Sequence, residues 1–205
     1  GDWGLMMVTK NGVAKKSDAS AFKDVRRSGL IAIKLKPDDA LIAARFVGSG
    51  DEVSLVTRKG QSIRFKEEDV REMGRTAAGV AAMKIAKGDR IVSADVLSKG
   101  VRDREVLVVT ENGYGKATPA KEYKVQKRAG SGIKTVKVTS KTGEVVAGII
   151  ISEEERKEGE LVIMSKKGQV IKLPLKQVPT LGRDTQGVKV MKMRPGDQIA
   201  SVVFV

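Results

Sequence analysis

The residues with most chemistry to offer in this 205-residue chain are its cations, 39 Lys and Arg against 25 Asp and Glu. They recur in register. Shortly ahead of a glycine stands an arginine, four times over: Arg27 before Gly29, Arg75 before Gly79, Arg128 before Gly132 and Arg183 before Gly187. Five residues past each of those glycines stands a lysine: Lys34, Lys84, Lys137 and Lys192. A second set of cations flanks short turns: Lys15 and Lys16, then Arg58, Lys59 and Arg64, then Lys116, then Lys166, Lys167 and Lys172. Lys127 adjoins Arg128. A guanidinium offers paired donors to a phosphate, and a neighbouring glycine lets a backbone come close. The chemistry expected of this pattern is capture of a phosphodiester polyanion. The arginines have an equal alternative, which is to pin their own connectors through carbonyl or carboxylate contacts. The lysines five past each glycine alternate with apolar neighbours, as solvent-facing strand residues do.

The charge is spread along the chain. Net charge is +14 and the pI about 10.0. Residues 1–47, 48–99, 100–152 and 153–205 carry +4, +2, +5 and +3. A polyanion passing all four segments meets positive charge throughout. Aromatic residues make up only 3% of the chain and do not recur with the cations, which favours duplex backbone over stacked single strands. There is no Cys and no His, so no disulfide framework, and the residues behind most zinc sites and catalytic triads are missing. The Gly-rich run Ala129-Gly130-Ser131-Gly132 leads into no Gly-Lys-Ser/Thr sequence and is not a nucleotide loop. Asp39, Asp89 and Asp197 each follow a turn and are expected to cap backbone N–H groups there, in preference to binding metal. No catalytic residue, metal or cofactor is expected. No apolar run is long enough to span a membrane, and with no Cys a cytoplasmic setting is expected.

The elements that must position these cations repeat too. Val8-Thr9-Lys10-Asn11-Gly12 returns as Val56-Thr57-Arg58-Lys59-Gly60, Val109-Thr110-Glu111-Asn112-Gly113 and Met164-Ser165-Lys166-Lys167-Gly168. Apolar runs on both sides make each a β-hairpin. Asn-Gly predicts a turn with both residues at positive φ, whereas Lys-Gly suits a glycine at a bulge. A polar connector follows, expected as 3₁₀ or loop, with the acidic run 153–160 as a solvated connection. The Gly-x₄-Lys strand comes next, then an apolar closing strand. Four strands per repeat at this period predict an all-β, propeller-like single domain, 1–205, with repeats at about 1–47, 48–99, 100–152 and 153–205. The last strand, 202–205, is expected to pair within an existing unit.

Several of these residues carry a resemblance. Gly74-Arg75-Thr76-Ala77-Ala78-Gly79-Val80 and Gly182-Arg183-Asp184-Thr185-Gln186-Gly187-Val188 resemble blades of the C-terminal domain of bacterial DNA gyrase A. So do Asn112-Gly113-Tyr114-Gly115-Lys116 and Glu122-Tyr123-Lys124-Val125-Gln126. The resemblance runs through essentially the whole chain. It implies a β-pinwheel whose neighbouring blades exchange strands. It also implies a non-catalytic domain that wraps duplex DNA on its basic rim and biases a type II topoisomerase toward negative supercoiling. The partners implied are double-stranded DNA, the rest of a dimeric gyrase A, and gyrase B, which is the ATPase. The family's Gln-basic-Arg-Gly-Gly-basic-Gly box is met only by Gln126-Lys127-Arg128-Ala129-Gly130-Ser131-Gly132, with Ala129 for a glycine and Ser131 for a basic residue. The chain is therefore expected to be a fragment that begins after the box-bearing blade. Two alternatives stand beside this reading. One is the related C-terminal domain of topoisomerase IV, and the other is a propeller-like module whose basic face binds an acidic protein.

Overall fold

The computed structural model describes residues 2–205. Each repeat opens with an apolar strand: β1 (Gly4–Thr9), β4 (Glu52–Thr57), β8 (Glu105–Thr110) and β12 (Glu160–Ser165). The chain turns back as β2 (Val13–Asp18), β5 (Gln61–Lys66), β9 (Tyr114–Pro119) and β13 (Val170–Pro174). It closes as β3 (Leu41–Val47), β7 (Ile91–Leu97), β11 (Val145–Ile151) and β15 (Ile199–Phe204). Three two-residue strands complete the set: β6 (Val80–Ala81), β10 (Ile133–Lys134) and β14 (Val188–Lys189).

These strands make antiparallel sheets in the orders β3-β1-β2-β6, β7-β4-β5-β10, β11-β8-β9-β14 and β15-β12-β13. In each four-stranded sheet the outer strand belongs to the following repeat. That is the strand exchange expected of a pinwheel. The final strand pairs with β12 of its own repeat, as expected. The Gly-x₄-Lys segments are shorter as strands than their sequence suggests. In the last three repeats only residues one and two past the glycine join a ladder, with the lysine beyond it, and in the first repeat the segment after Gly29 forms no strand.

The four hairpins share one turn. Asn11 and Asn112 do not take positive φ, whereas Gly12, Gly60, Gly113 and Gly168 do, at 94°, 90°, 86° and 88°. The two-residue Asn-Gly turn expected of the first and third repeats is therefore replaced by a loop ending in a left-handed glycine, which is the bulge glycine expected of the second and fourth. The reason is the residue before the loop. The Thr9, Thr57, Thr110 and Ser165 hydroxyls accept from the backbone N–H four residues on, at 3.1, 3.1, 3.3 and 2.9 Å. Those hydroxyls are buried and close the loop from inside. The glycine is required a second time by its neighbour. A Cβ on Gly12, Gly60 or Gly113 would lie 2.5–2.7 Å from the carbonyl of Met83, Val136 or Met191 in the Gly-x₄-Lys segment packed against it.

Burial explains the apolar runs. β4 and β8 are buried from their second residue onward, because sheets pack on both faces. β12 alternates instead, with Leu161 and Ile163 buried and Met164 48% exposed. The core forms between repeats as well as within them. Ala82 and Met83 pack with Met6, Val8 and Ala14, and Val56 packs with Val106 and Val136. Connectors contain 3₁₀ turns at Ala19–Phe22, Glu67–Asp69, Ala120–Glu122 and Leu175–Gln177, as expected. The acidic run differs from expectation. It forms a helix, α1 (Glu153–Glu158), because Ser152 and Glu155 make a reciprocal capping box and Lys157 pairs with Glu153 at 2.9 Å.

Candidate nucleic-acid interface

The cations singled out from the sequence fall into three environments. Lys15 and Lys116 are fully buried, which removes them from the set that can meet a polyanion. Both stand on strands packed on each face, so a basic residue type does not guarantee a solvent-facing position. The Lys15 Nζ donates to the Ala32 carbonyl at 2.6 Å and to that of Arg75. The Lys116 Nζ donates to the carbonyls of Gly182, Arg183 and Thr185 at 2.6, 2.8 and 3.0 Å. Burial pushes the Lys116 ammonium down to about 8, against the opposing pull of Glu122 and Asp184, while Arg183 adds to the depression. Burial, aided by Arg75, also lowers Lys15.

A second group is half-buried and joins repeats together. Lys16 pairs with Glu67 at 2.5 Å, Arg58 with Glu144 at 2.7 Å, and Arg64 with Glu52 in its own hairpin. Arg64 also donates to the Ala120 carbonyl of the next repeat at 2.9 Å. Three register arginines share one contact. The Nη1 groups of Arg75, Arg128 and Arg183 donate to the carbonyls of Ile31, Ala81 and Lys134, at 3.4, 2.9 and 2.9 Å. Each acceptor lies two residues past the glycine of the preceding repeat. The connector-pinning role that the sequence left open is thus occupied at these three positions. Arg27 stands two residues before its glycine where the others stand four, and it is exposed.

The third group reaches solvent: Arg27, Lys59, Lys127, Lys166, Lys167 and Lys172. Lys127 is 90% exposed and lies 3.6 Å from Asp69. The Lys166 Nζ donates to Gln198 Oε1 at 2.9 Å. The turn aspartates hold the hairpin loops as expected. The Oδ1 atoms of Asp39, Asp89 and Asp197 each accept from the N–H of Asn11, Lys59 or Lys167 at 3.0 Å. In the third repeat the Thr142 carbonyl takes that place, accepting from Asn112 N–H at 3.0 Å.

Sequence reasoning gave little weight to the lysines five past each glycine. All four are exposed. The backbone N–H of Lys34, Lys84 and Lys137 donates to the carbonyl of Ala77, Gly130 and Thr185, at 3.2, 2.9 and 3.0 Å. Each acceptor sits in the next repeat's arginine turn, two residues before its glycine. A row of flexible cations is therefore tied, repeat after repeat, to the turn that follows it. The constant spacing was the signal for this row.

The family model for the DNA gyrase C-terminal domain, beta-propeller, matches residues 5–47, 51–98, 104–152 and 159–205. The chain belongs to this family. The DNA gyrase A of Staphylococcus epidermidis is 39% identical over 201 residues, and that of Staphylococcus aureus 40% over 199. These alignments cover 98% and 97% of the chain and 22% of each relative. The chain thus spans about a fifth of the length of these relatives. Among solved structures, a DNA gyrase A C-terminal domain superposes with a TM-score of 0.84 at 30% identity, over 98% of this chain and 65% of that one. The C-terminal domain of a DNA topoisomerase IV superposes at 0.90 with 24% identity, over 100% and 62%. That second likeness speaks to the fold. Among the described residues, no helix of this gyrase-family domain is long and apolar enough to cross a membrane.

Proposed function

We propose that this chain is a non-catalytic domain that binds and wraps duplex DNA within a DNA gyrase A. The observation that carries the reading is the row Lys34, Lys84, Lys137 and Lys192, exposed in every repeat and anchored in three of them to the next repeat's turn. Phosphates on a duplex recur regularly, and a repeated cation meets them without reading base edges. Lys59, Lys127, Lys166, Lys167 and Lys172 add exposed charge. The identity to gyrase sequences favours gyrase over topoisomerase IV as the parent enzyme. In that enzyme the partners are the rest of a dimeric gyrase A and the ATPase, gyrase B, on cytoplasmic, nucleoid DNA. The domain's part in ATP-dependent negative supercoiling is to hold the duplex, with strand cleavage located elsewhere in the enzyme.

A salt series tests the binding. Affinity for duplexes of unrelated sequence should be alike, and log affinity should fall with log salt by about 0.9 per phosphate neutralised. A slope near zero, or strong preference for one duplex over others of equal length, contradicts the reading.

A further inference from the structure

Three residues past the turn glycine, the first and third repeats carry Lys15 and Lys116, whereas the second and fourth carry Ile63 and Ile171. Lys15, Lys116 and Ile63 are all buried. In the second repeat the fit is apolar: Ile63 Cδ1 lies 3.7 Å from the position a Cβ of Gly130 would take, in the following turn. In the first and third repeats an ammonium occupies the same place and grips the backbone of the following arginine turn. Lys116 Nζ meets three carbonyls there and the Thr185 hydroxyl at 3.1 Å. Thr185 O, one of its acceptors, also accepts from the N–H of Lys137 at 3.0 Å. Arg75 O, an acceptor of Lys15, belongs to the turn whose Ala77 carbonyl holds the N–H of Lys34. Each buried ammonium therefore organises the turn to which an exposed rim lysine is tied.

Burying a cation costs free energy unless oxygens surround it, and an isoleucine, Ile63, suffices against the following turn in the second repeat. Packing alone does not explain the charge. We propose that Lys15 and Lys116 are positioning residues for DNA binding, whose buried ammonium groups, out of reach of phosphate, hold the following arginine turn in the shape that presents the rim lysines. This rests on the DNA-binding reading above. The charged groups facing Lys116 are Glu122, Asp184 and Arg183, and Lys15 faces Arg75. The chain has no His or Cys to titrate near neutrality. As Lys116 loses its proton near 8, its oxygens keep two donors in place of three, and the grip on the turn slackens.

The test uses the 205-residue chain, its Lys116→Met and Lys116→Ile variants, and a duplex long enough to pass every repeat. Amide exchange of residues 182–187 and of Lys137 reads the grip without DNA. It should be faster in both variants than in the unsubstituted chain. DNA affinity, followed from about pH 7 to about pH 9, reads the coupling. At the lower pH the unsubstituted chain should bind about fivefold or more tightly than either variant, the lower end of typical coupling between sites. It should lose that advantage as pH rises, while the variants, which keep only Lys15 of the two, change less. Lys116→Ile, the residue two repeats already use, keeps the test valid if Lys116→Met fails to fold. Equal affinity of variant and unsubstituted chain across the range overturns the proposal. So does faster exchange with unchanged affinity, since the turn then does not present DNA-contacting residues. An unsubstituted chain that ignores duplex DNA overturns the DNA reading itself, and the exchange data still report whether the grip exists.

Discussion

A lysine on the strand of a basic protein invites assignment to the surface, and Lys116 shows how packing overrides that expectation. Its strand β9 lies between two others in a sheet, and its residues are buried from Tyr114 to Thr118. The ammonium stays in place because backbone oxygens of another repeat surround it. The consequence for stability has a definite sign. In the fold the group titrates near 8, below the ordinary 10.5 of lysine. Between those values the unfolded chain binds more protons than the folded one, so stability rises with pH through that window. Urea midpoints should climb from about pH 8 toward about pH 10, and Lys116→Met should remove that part of the climb. A midpoint difference between the two proteins that is independent of pH would show that Lys116 titrates normally. Stability and DNA affinity are then expected to move in opposite directions as pH rises, which separates a positioning charge from a merely structural one.

At the scale of elements, the hairpin is the unit on which everything else is hung. Its loop glycine answers two demands, a left-handed backbone and a close approach by a neighbouring segment. These demands can be separated. Gly168 has the same backbone as Gly60, but no atom lies within 4 Å of its would-be Cβ, whereas at Gly60 the Val136 carbonyl lies 2.5 Å away. Gly168→Ala should cost only the left-handed penalty of about 1–2 kcal/mol. Gly60→Ala should cost roughly 1–3 kcal/mol more for the collision. Denaturant unfolding of the two variants checks the order, and equal losses would mean that the next repeat yields easily. Much of this element was legible in the sequence. The repeated Thr or Ser before the loop and Asp39, Asp89 and Asp197 recur at near-constant spacing because each makes a contact within its own repeat, and the glycine recurs with them because the loop's own left-handed turn requires it. The environments of the cations were less legible. Whether Arg64 or Arg75 faces a phosphate or a carbonyl depends on the neighbouring repeat, and β6, β10 and β14 are too short for periodicity to announce where they pair. The helix at Glu153–Glu158 was readable from its capping box, Ser152 to Glu155, but its density of acidic residues suggested a loop.

The whole molecule joins the repeats by lending a strand, core residues and an arginine contact from each repeat to the one before it, so that the rim lysines keep one relation to each successive turn. Wrapping along that row requires the duplex to bend, and bending a site of 20–30 base pairs by 40–90° costs of order 1–6 kcal/mol. Contacts from one repeat do not offset such a cost, whereas contacts from several in succession do. Replacing Lys84, Lys137 and Lys192 together by Gln should therefore weaken binding and reduce the salt slope by about 0.9 for each phosphate no longer neutralised. Circular dichroism should show the fold retained, because these side chains are exposed. Unchanged affinity in a folded triple variant would show that DNA follows another surface. The central claim, that the duplex is wrapped and not merely touched, is tested most directly on a nicked circular DNA. The circle is bound by the chain, sealed with ligase, stripped of protein and resolved into topoisomers. Wrapping predicts that mean linking number shifts as protein is added, and that the triple variant shifts it less at equal occupancy. An unchanged topoisomer distribution on fully occupied DNA would contradict wrapping.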